Sequence, residues 1–229
     1  MKRLIIIISL CFLSQAATAK LTNKEKNQIA QNIRRLKRNK KCKGCDLRQT
    51  NMTNLDLSNA NLENANLESA QLNGAYLVGA NLKGAILNNI IAPNIRLANS
   101  KDKRAILDGA SVTNAKLNGA QLINTSAKNV DFSGTNFFGA QIKNVDFSGS
   151  NLSNVNFRGA DLKLISITNT NLNGTHFTEN ANLYDIDICK RFILYEKAKD
   201  ITECARLLRK KGANIDLNTC IENTQVNIS

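Results

Sequence analysis

Between Cys45 and Glu179 the chain repeats one arrangement of apolar and polar positions every five residues. Ala60-Asn61-Leu62-Glu63-Asn64 is followed by Ala65-Asn66-Leu67-Glu68-Ser69, then by Ala70-Gln71-Leu72-Asn73-Gly74 and Ala75-Tyr76-Leu77-Val78-Gly79. A large apolar residue stands at the centre of each unit, and the residue two before it is small. From Leu47 and Met52 onward to Phe177 there are 27 consecutive units in one register. A repeat this long decides the architecture before any other signal is read.

A period of five suits neither regular element. On an α-helix, five residues advance the side chain roughly 140° past a full turn, so Leu62, Leu67 and Leu72 would spiral around the axis. On a flat strand an odd spacing sends successive leucines to opposite faces. The pattern gives one core only if each unit contains its own corner. Ala60 and Leu62 then both point inward across a short extended piece, Glu63 and Asn64 turn, and Ala65 starts the next side. Four such sides close a square coil, which predicts an all-β solenoid with Leu62, Leu67, Leu72, Leu77 and Leu82 in its interior. Each buried leucine contributes about 1.5–3 kcal/mol toward ordering so many loop-like residues.

The A-[DN]-L-x-x pattern, as in Ala80-Asn81-Leu82-Lys83-Gly84 and Ala160-Asp161-Leu162-Lys163-Leu164, resembles the pentapeptide-repeat proteins. The resemblance implies a right-handed quadrilateral β-helix, here of about seven coils with short helical caps at both ends. It is specific for fold and says little about function. The family includes DNA-mimicking topoisomerase protectors, but most members have no assigned activity.

The repeat, placed at residues 42–188, weakens between Asn89 and Arg104. Ala92 is small for a central slot, Pro93 is the chain's only proline, and strict register would point Asp102 inward. An isolated buried carboxylate is too costly, so a surface loop of about one unit is expected between Ala98 and Arg104, near 98–104. From Val130 onward Phe132, Phe137, Phe147 and Phe157 take the central slots. Phenylalanines twenty residues apart should stack, as Phe137 on Phe157, whereas those ten apart lie on opposite sides. Phe138 should point outward, and so should His176.

The flanks are different material. Lys2 and Arg3, the apolar run from Leu4 to Leu13 and Ala17-Thr18-Ala19 read as a cleaved secretory signal peptide over residues 1–19. Ten apolar residues are too few for a membrane span, which needs about 20. Export to the periplasm or the outside is the resulting expectation. Residues 20–41 read as a basic amphipathic helix that covers the first coil. Thr22 and Glu25 form a capping box, and Ile29, Ile33 and Leu36 make its apolar stripe. Residues 189–229 read as a helical cap on the last coil, with helices at 190–199 and 202–211.

The net charge is +13, and its placement matters more than its size. Residues 20–48 hold eleven basic and two acidic side chains, whereas residues 49–179 hold ten and nine. Arg34, Arg35, Lys37, Arg38, Lys40 and Lys41 are therefore the candidate patch for an anionic surface, the other reading being charges that simply face water around a cap.

Cys42 and Cys45 face the core of the first coil, as small apolar residues or as a disulfide. With Cys189, Cys204 and Cys220 they complete the five cysteines after the signal peptide, and a bridge of Cys189 with Cys204 would tie the tail helices together. An odd count leaves at least one thiol free or paired with another molecule.

Nothing in the chain points to an enzyme, a cofactor, a metal site or a small-molecule substrate. A coil filled by its own leucines leaves no concave pocket for convergent catalytic groups. The glycines end the units and serve corners, not phosphates. Asp131, Asp146 and Asp161 fall on different sides and are expected to bond to nearby backbone. A protein partner is the leading expectation and an anionic surface the alternative. DNA imitation is disfavoured, because it requires a strongly acidic rod in the cytoplasm.

Overall fold

The computed structural model describes residues 20–97, 104–177 and 214–215. From Lys41 onward the second residue of each unit, the one before the central residue, pairs in parallel with the residue twenty positions on: Lys41 with Asn61, Asp46 with Asn66, Asn51 with Gln71, Asp56 with Tyr76. Twenty residues are four units, so each unit forms one side of a square and each coil stacks on the one before. The elements are α1 (Asn23–Asn39), β1 (Gln121–Ile123), β2 (Gln141–Lys143), β3 (Asp161–Lys163), β4 (His176–Phe177) and β5 (Asn214–Ile215). Strands β1, β2 and β3 form a parallel sheet along one side, with Gln121, Gln141 and Asp161 in register.

The five-residue formula follows from this geometry. The corner after Leu62 is closed by the Ala65 N–H donating to the Leu62 carbonyl at 2.9 Å. It places Asn64 at φ 55°, in the left-handed region that Asn and Gly tolerate best. Corners stack in columns, and at Gly149 an added Cβ would lie 2.2 Å from Asn129 Oδ1 of the preceding coil. The asparagine amide thus occupies the space over the next glycine. In many units an Asn or Asp precedes the central residue and holds the turn from the outside. Asn61 Oδ1 accepts the Glu63 N–H (3.1 Å) and Asn66 Oδ1 that of Glu68 (3.0 Å). Each satisfies a turn amide within its own unit.

The central residues and their apolar small companions gather in one buried cluster, Leu62, Leu67, Leu72, Leu77 and Leu82 among them. Where the small residue is a hydroxyl, it is satisfied inside: Thr175 Oγ1 donates to the Leu152 carbonyl and Ser150 Oγ to that of Ala127, both at 2.7 Å. Phe137 stacks on Phe157 (5.4 Å between centroids, 8° between planes), and Phe177 continues the stack at 5.3 Å. Phe147 and Phe157, ten residues apart, meet edge to face across the interior at 6.4 Å.

The repeat does not falter at Ala92, which is fully buried and keeps its ladder bond to Lys116 O (2.9 Å). The change lies a little further on. Four consecutive pairs, from Asn81 with Ile106 to Arg96 with Gln121, span 25 residues instead of 20, and the pair of Ile106 with Ser126 spans 20 again. One unit is therefore left out of the ladder between Arg96 and Ile106, which preserves the register on both sides. Residues 98–103, with Asp102, lie outside the described part of the chain.

At the N-terminal end, α1 starts at Thr22 with both bonds of the capping box present. Ile29 and Leu36 are buried, and Ile33 packs against the core. Asn32, on the same stripe, donates from Nδ2 to the Asp46 carbonyl at 2.9 Å, satisfying an edge acceptor of the first coil. The helix ends at Lys40, which is left-handed at φ 59°.

Cys42 and Cys45 are joined in a disulfide. Cys189, Cys204 and Cys220 lie outside the described residues, as do residues 1–19 and the two helices expected in the tail. The described part of the tail departs from the all-helical expectation. Asn214 and Ile215 form a strand, β5, paired in parallel with His176 and Phe177. The reason is the edge: the last coil presents unpaired backbone groups, and an extended segment satisfies them where a helix cannot.

Candidate interaction surfaces

The six basic residues singled out from the sequence do not behave alike. Arg34, Lys37, Arg38 and Lys41 are exposed, and among the described residues no carboxylate pairs with them. Arg35 turns inward enough to bring Nη2 to 2.7 Å from Cys45 Sγ. Lys40 is spent on the first coil, where its ammonium donates to the Asp56 carbonyl and stands 3.7 Å from the Asp56 carboxylate. The available cations lie toward the C-terminal end of α1, where they also complement the helix dipole.

Sequence reasoning missed the tie at the other end of the helix. Arg48 reaches from the first coil to Glu25 (3.0 Å) and to Asp46 (2.8 Å). The Thr22 backbone and hydroxyl, then Arg48, hold the Glu25 carboxyl down at about 2, below its usual 4.5. Arg48 lowers Asp46 as well, against the opposing effect of burial. Because the folded value lies below the unfolded one, this contribution is complete above pH 4.5 and is lost as the pH falls through about 2. Acidification through that window should therefore speed hydrogen exchange of the α1 amides before that of the leucine-lined coils. Arg48→Ala should move the onset upward in pH, and exchange in α1 that ignores pH would contradict the tie.

Along the rod the four sides differ in charge. The carboxylates of the described repeat sit on three of them: Glu63, Asp108 and Asp146 on one, Asp46, Glu68 and Asp131 on the next, Asp56 and Asp161 on another. Asp131 and Asp146 accept the N–H of the residue two further on (Ser133 at 3.0 Å, Ser148 at 2.9 Å), as expected. Asp161 departs from that expectation and pairs with Lys163 at 3.0 Å. Among the described residues no group of three His, Cys, Asp or Glu could hold a metal ion. No described helix is long and apolar enough to cross a membrane.

The remaining side is the ladder of Asn51, Gln71, Ile91, Lys116, Asn136, Asn156 and His176, which carries no carboxylate among the described residues. It holds Phe138, 53 % exposed and the most exposed large apolar side chain described. His176 points outward from it.

The square ladder and its stacked corners define a class of protein. Residues 41–77 and 50–89 match the family model "Pentapeptide repeats (8 copies)", and residues 100–177 match "Pentapeptide repeat region". The chain belongs to the pentapeptide-repeat family, whose fold is the right-handed quadrilateral β-helix.

Among solved structures it is similar to HetL, a pentapeptide repeat protein involved in heterocyst differentiation regulation in Nostoc sp. strain PCC 7120. The identity is 24 %, covering 59 % of this chain and 71 % of that one, with a TM-score of 0.31. A pentapeptide repeat protein of Cyanothece 51142 gives 24 % identity over 66 % of this chain and 97 % of that one (TM-score 0.33). QnrB1, a plasmid-mediated fluoroquinolone resistance protein, gives 15 % over 56 % and 73 % (TM-score 0.33). At these identities the likeness concerns the fold alone. No curated protein matches the chain.

Proposed function

We propose that the chain is an exported, non-enzymatic interaction module: a stiff rod of about seven coils, roughly 30 Å long at the strand spacing, closed at its N-terminal end by α1. The observation that carries this reading is the filled interior. Every described central side chain is spent on packing, so what the rod offers to other molecules is its outer sides. Expressed from Met1, the protein should be recovered outside the cytoplasm with its N-terminus near Lys20, and a cytoplasmic product retaining Met1 would sink the export part. Incubated with envelope fractions, the folded rod should retain a protein partner in unaltered form. A partner chemically converted in the process would sink the non-enzymatic part.

A second reading is supported by the unpaired Arg34, Lys37, Arg38 and Lys41, which suit attachment of α1 to an anionic surface. Retention on heparin should then fall with salt and be weakened by Arg34→Glu combined with Arg38→Glu. These exposed changes spare Ile29 and Leu36, so the fold survives and unchanged retention would exclude the patch. DNA imitation in the manner of the family's topoisomerase protectors has little support here, since the rod's few carboxylates are spread over three sides and interleaved with lysines.

A further inference from the structure

The side with no carboxylate among its described residues has a composition of its own. Lys116, Phe138 and Arg158 follow one another along it on three successive coils, since Lys116 pairs with Asn136 and Asn136 with Asn156. All three side chains are exposed, and neither cation has a described carboxylate partner. Between them the amides are fixed in place: Asn156 Nδ2 donates to Asn136 Oδ1 at 3.2 Å, and Asn136 Oδ1 also accepts the Phe138 N–H at 2.9 Å.

The corner beside Phe138 is bare. At Gly74, Gly84, Gly119, Gly134, Gly149 and Gly174 an asparagine amide of the previous coil fills the space where a Cβ would go, but at Gly139, as at Gly44 and Gly109, nothing lies within 4 Å. At Gly159 one of the nearest neighbours is the Phe138 ring itself, 3.9 Å away. An apolar ring therefore lies along an unroofed corner, with Arg158 at the same position one coil on and Lys116 one coil back but two positions earlier in its unit; the two cations stand on coils about 10 Å apart at the strand spacing.

We infer that this side binds an acidic polysaccharide laid along the rod axis, one sugar ring resting on Phe138 and carboxylates of successive disaccharides meeting Lys116 and Arg158. Amides outnumber cations on this side, which suits a hydroxyl-rich chain with sparse charge. A nucleic acid, with a charge on every residue, calls for a denser row of cations and a series of aromatic platforms. The inference rests on the chain being an exported interaction module, yet failure of polysaccharide binding would leave capture of a protein partner untouched, so the two fail separately.

The test is titration of the purified protein with hyaluronan oligosaccharides, which carry one carboxylate per disaccharide. Neutral dextran, single-stranded DNA and phosphatidylglycerol vesicles serve as the other arms. Hyaluronan should bind and dextran should not. Phe138→Ala and Arg158→Ala should each weaken hyaluronan binding about tenfold, the equivalent of one well-made contact, while Lys83→Ala, an exposed cation on another side of the rod, leaves it unchanged. No binding of hyaluronan, equal binding by the Phe138→Ala protein, or tighter binding of DNA or vesicles than of hyaluronan would each overturn the inference. Phe138 and Arg158 are exposed, so their replacement leaves the fold intact.

Discussion

Phe157→Ala should lower the unfolding free energy by about 3–5 kcal/mol, the range for deleting a fully buried aromatic ring. Phe157 is wholly buried and touches three other rings, stacking between Phe137 and Phe177 and meeting Phe147 edge-on. Its removal opens a cavity that no neighbour can fill, because each ring is fixed to its own coil by the ladder. In a solenoid, coils are stabilised by their immediate neighbours. The loss should therefore appear first as detachment of the coil that ends at Phe177, and then as a lowered midpoint for the whole. Phe138→Ala is the matched control. Its ring is more than half exposed, and its loss should change stability by no more than about 0.5 kcal/mol. Denaturant titration of the two variants would separate them, and a similar small effect for both would mean that the interior is not packed as described.

The second large effect comes from moving a charge by one position. Leu72→Asp puts a carboxylate into a fully buried slot lined by other leucines. It forfeits the burial of a leucine, about 1.5–3 kcal/mol, and adds a desolvation cost of several kcal/mol for an unpaired ion. The repeat should unfold around it at neutral pH and recover in part in acid, where the carboxyl is neutral. Gln71→Asp, one residue earlier, places the same group outside on the strand. There Asp56 already accepts the Ser58 N–H at 2.8 Å, and the new aspartate can cap its own turn in the same way. Its effect should lie within about 0.5 kcal/mol of zero. Circular dichroism and thermal unfolding of the pair would show the contrast, and a Leu72→Asp protein as stable as Gln71→Asp would place Leu72 outside the core.

Most of the rod was legible because the physical constraint recurs with every unit. One inward apolar residue, one small companion and one left-handed corner leave their mark in unit after unit, so the stacking of Phe137 on Phe157 and the outward position of Phe138 could be read by counting. That one unit leaves the ladder was legible for the same reason, since strict register would turn Asp102 inward. Interactions that occur once were not legible. The tie of Arg48 to Glu25 joins residues 23 apart with no periodic signal. Nor does spacing reveal that Arg35 and Lys40 are engaged while Arg34 and Arg38 are available. Cys42 and Cys45 were placed in the first coil by register, but register cannot distinguish two thiols from a disulfide. The strand of Asn214 and Ile215 was missed because its cause is an unsatisfied edge at Phe177, which is set by the folded coil and not by the tail's own sequence. The side without described carboxylates emerges only when residues twenty apart are aligned, and across the unit left out of the ladder that alignment shifts by five.

The central claim is that residues twenty apart lie side by side on neighbouring coils. Cysteines introduced at Gln71 and Ile91, which are exposed and paired across the ladder, would have Cα atoms at about the strand spacing, within the range a disulfide accepts. Mild oxidation followed by peptide mass spectrometry should find 71 joined to 91, and should not find 71 joined to 86 when the second cysteine is placed at Ile86, on another side of the square. A bridge from 71 to 86 as ready as that from 71 to 91, or no bridge from 71 to 91 at all, would contradict the square coil.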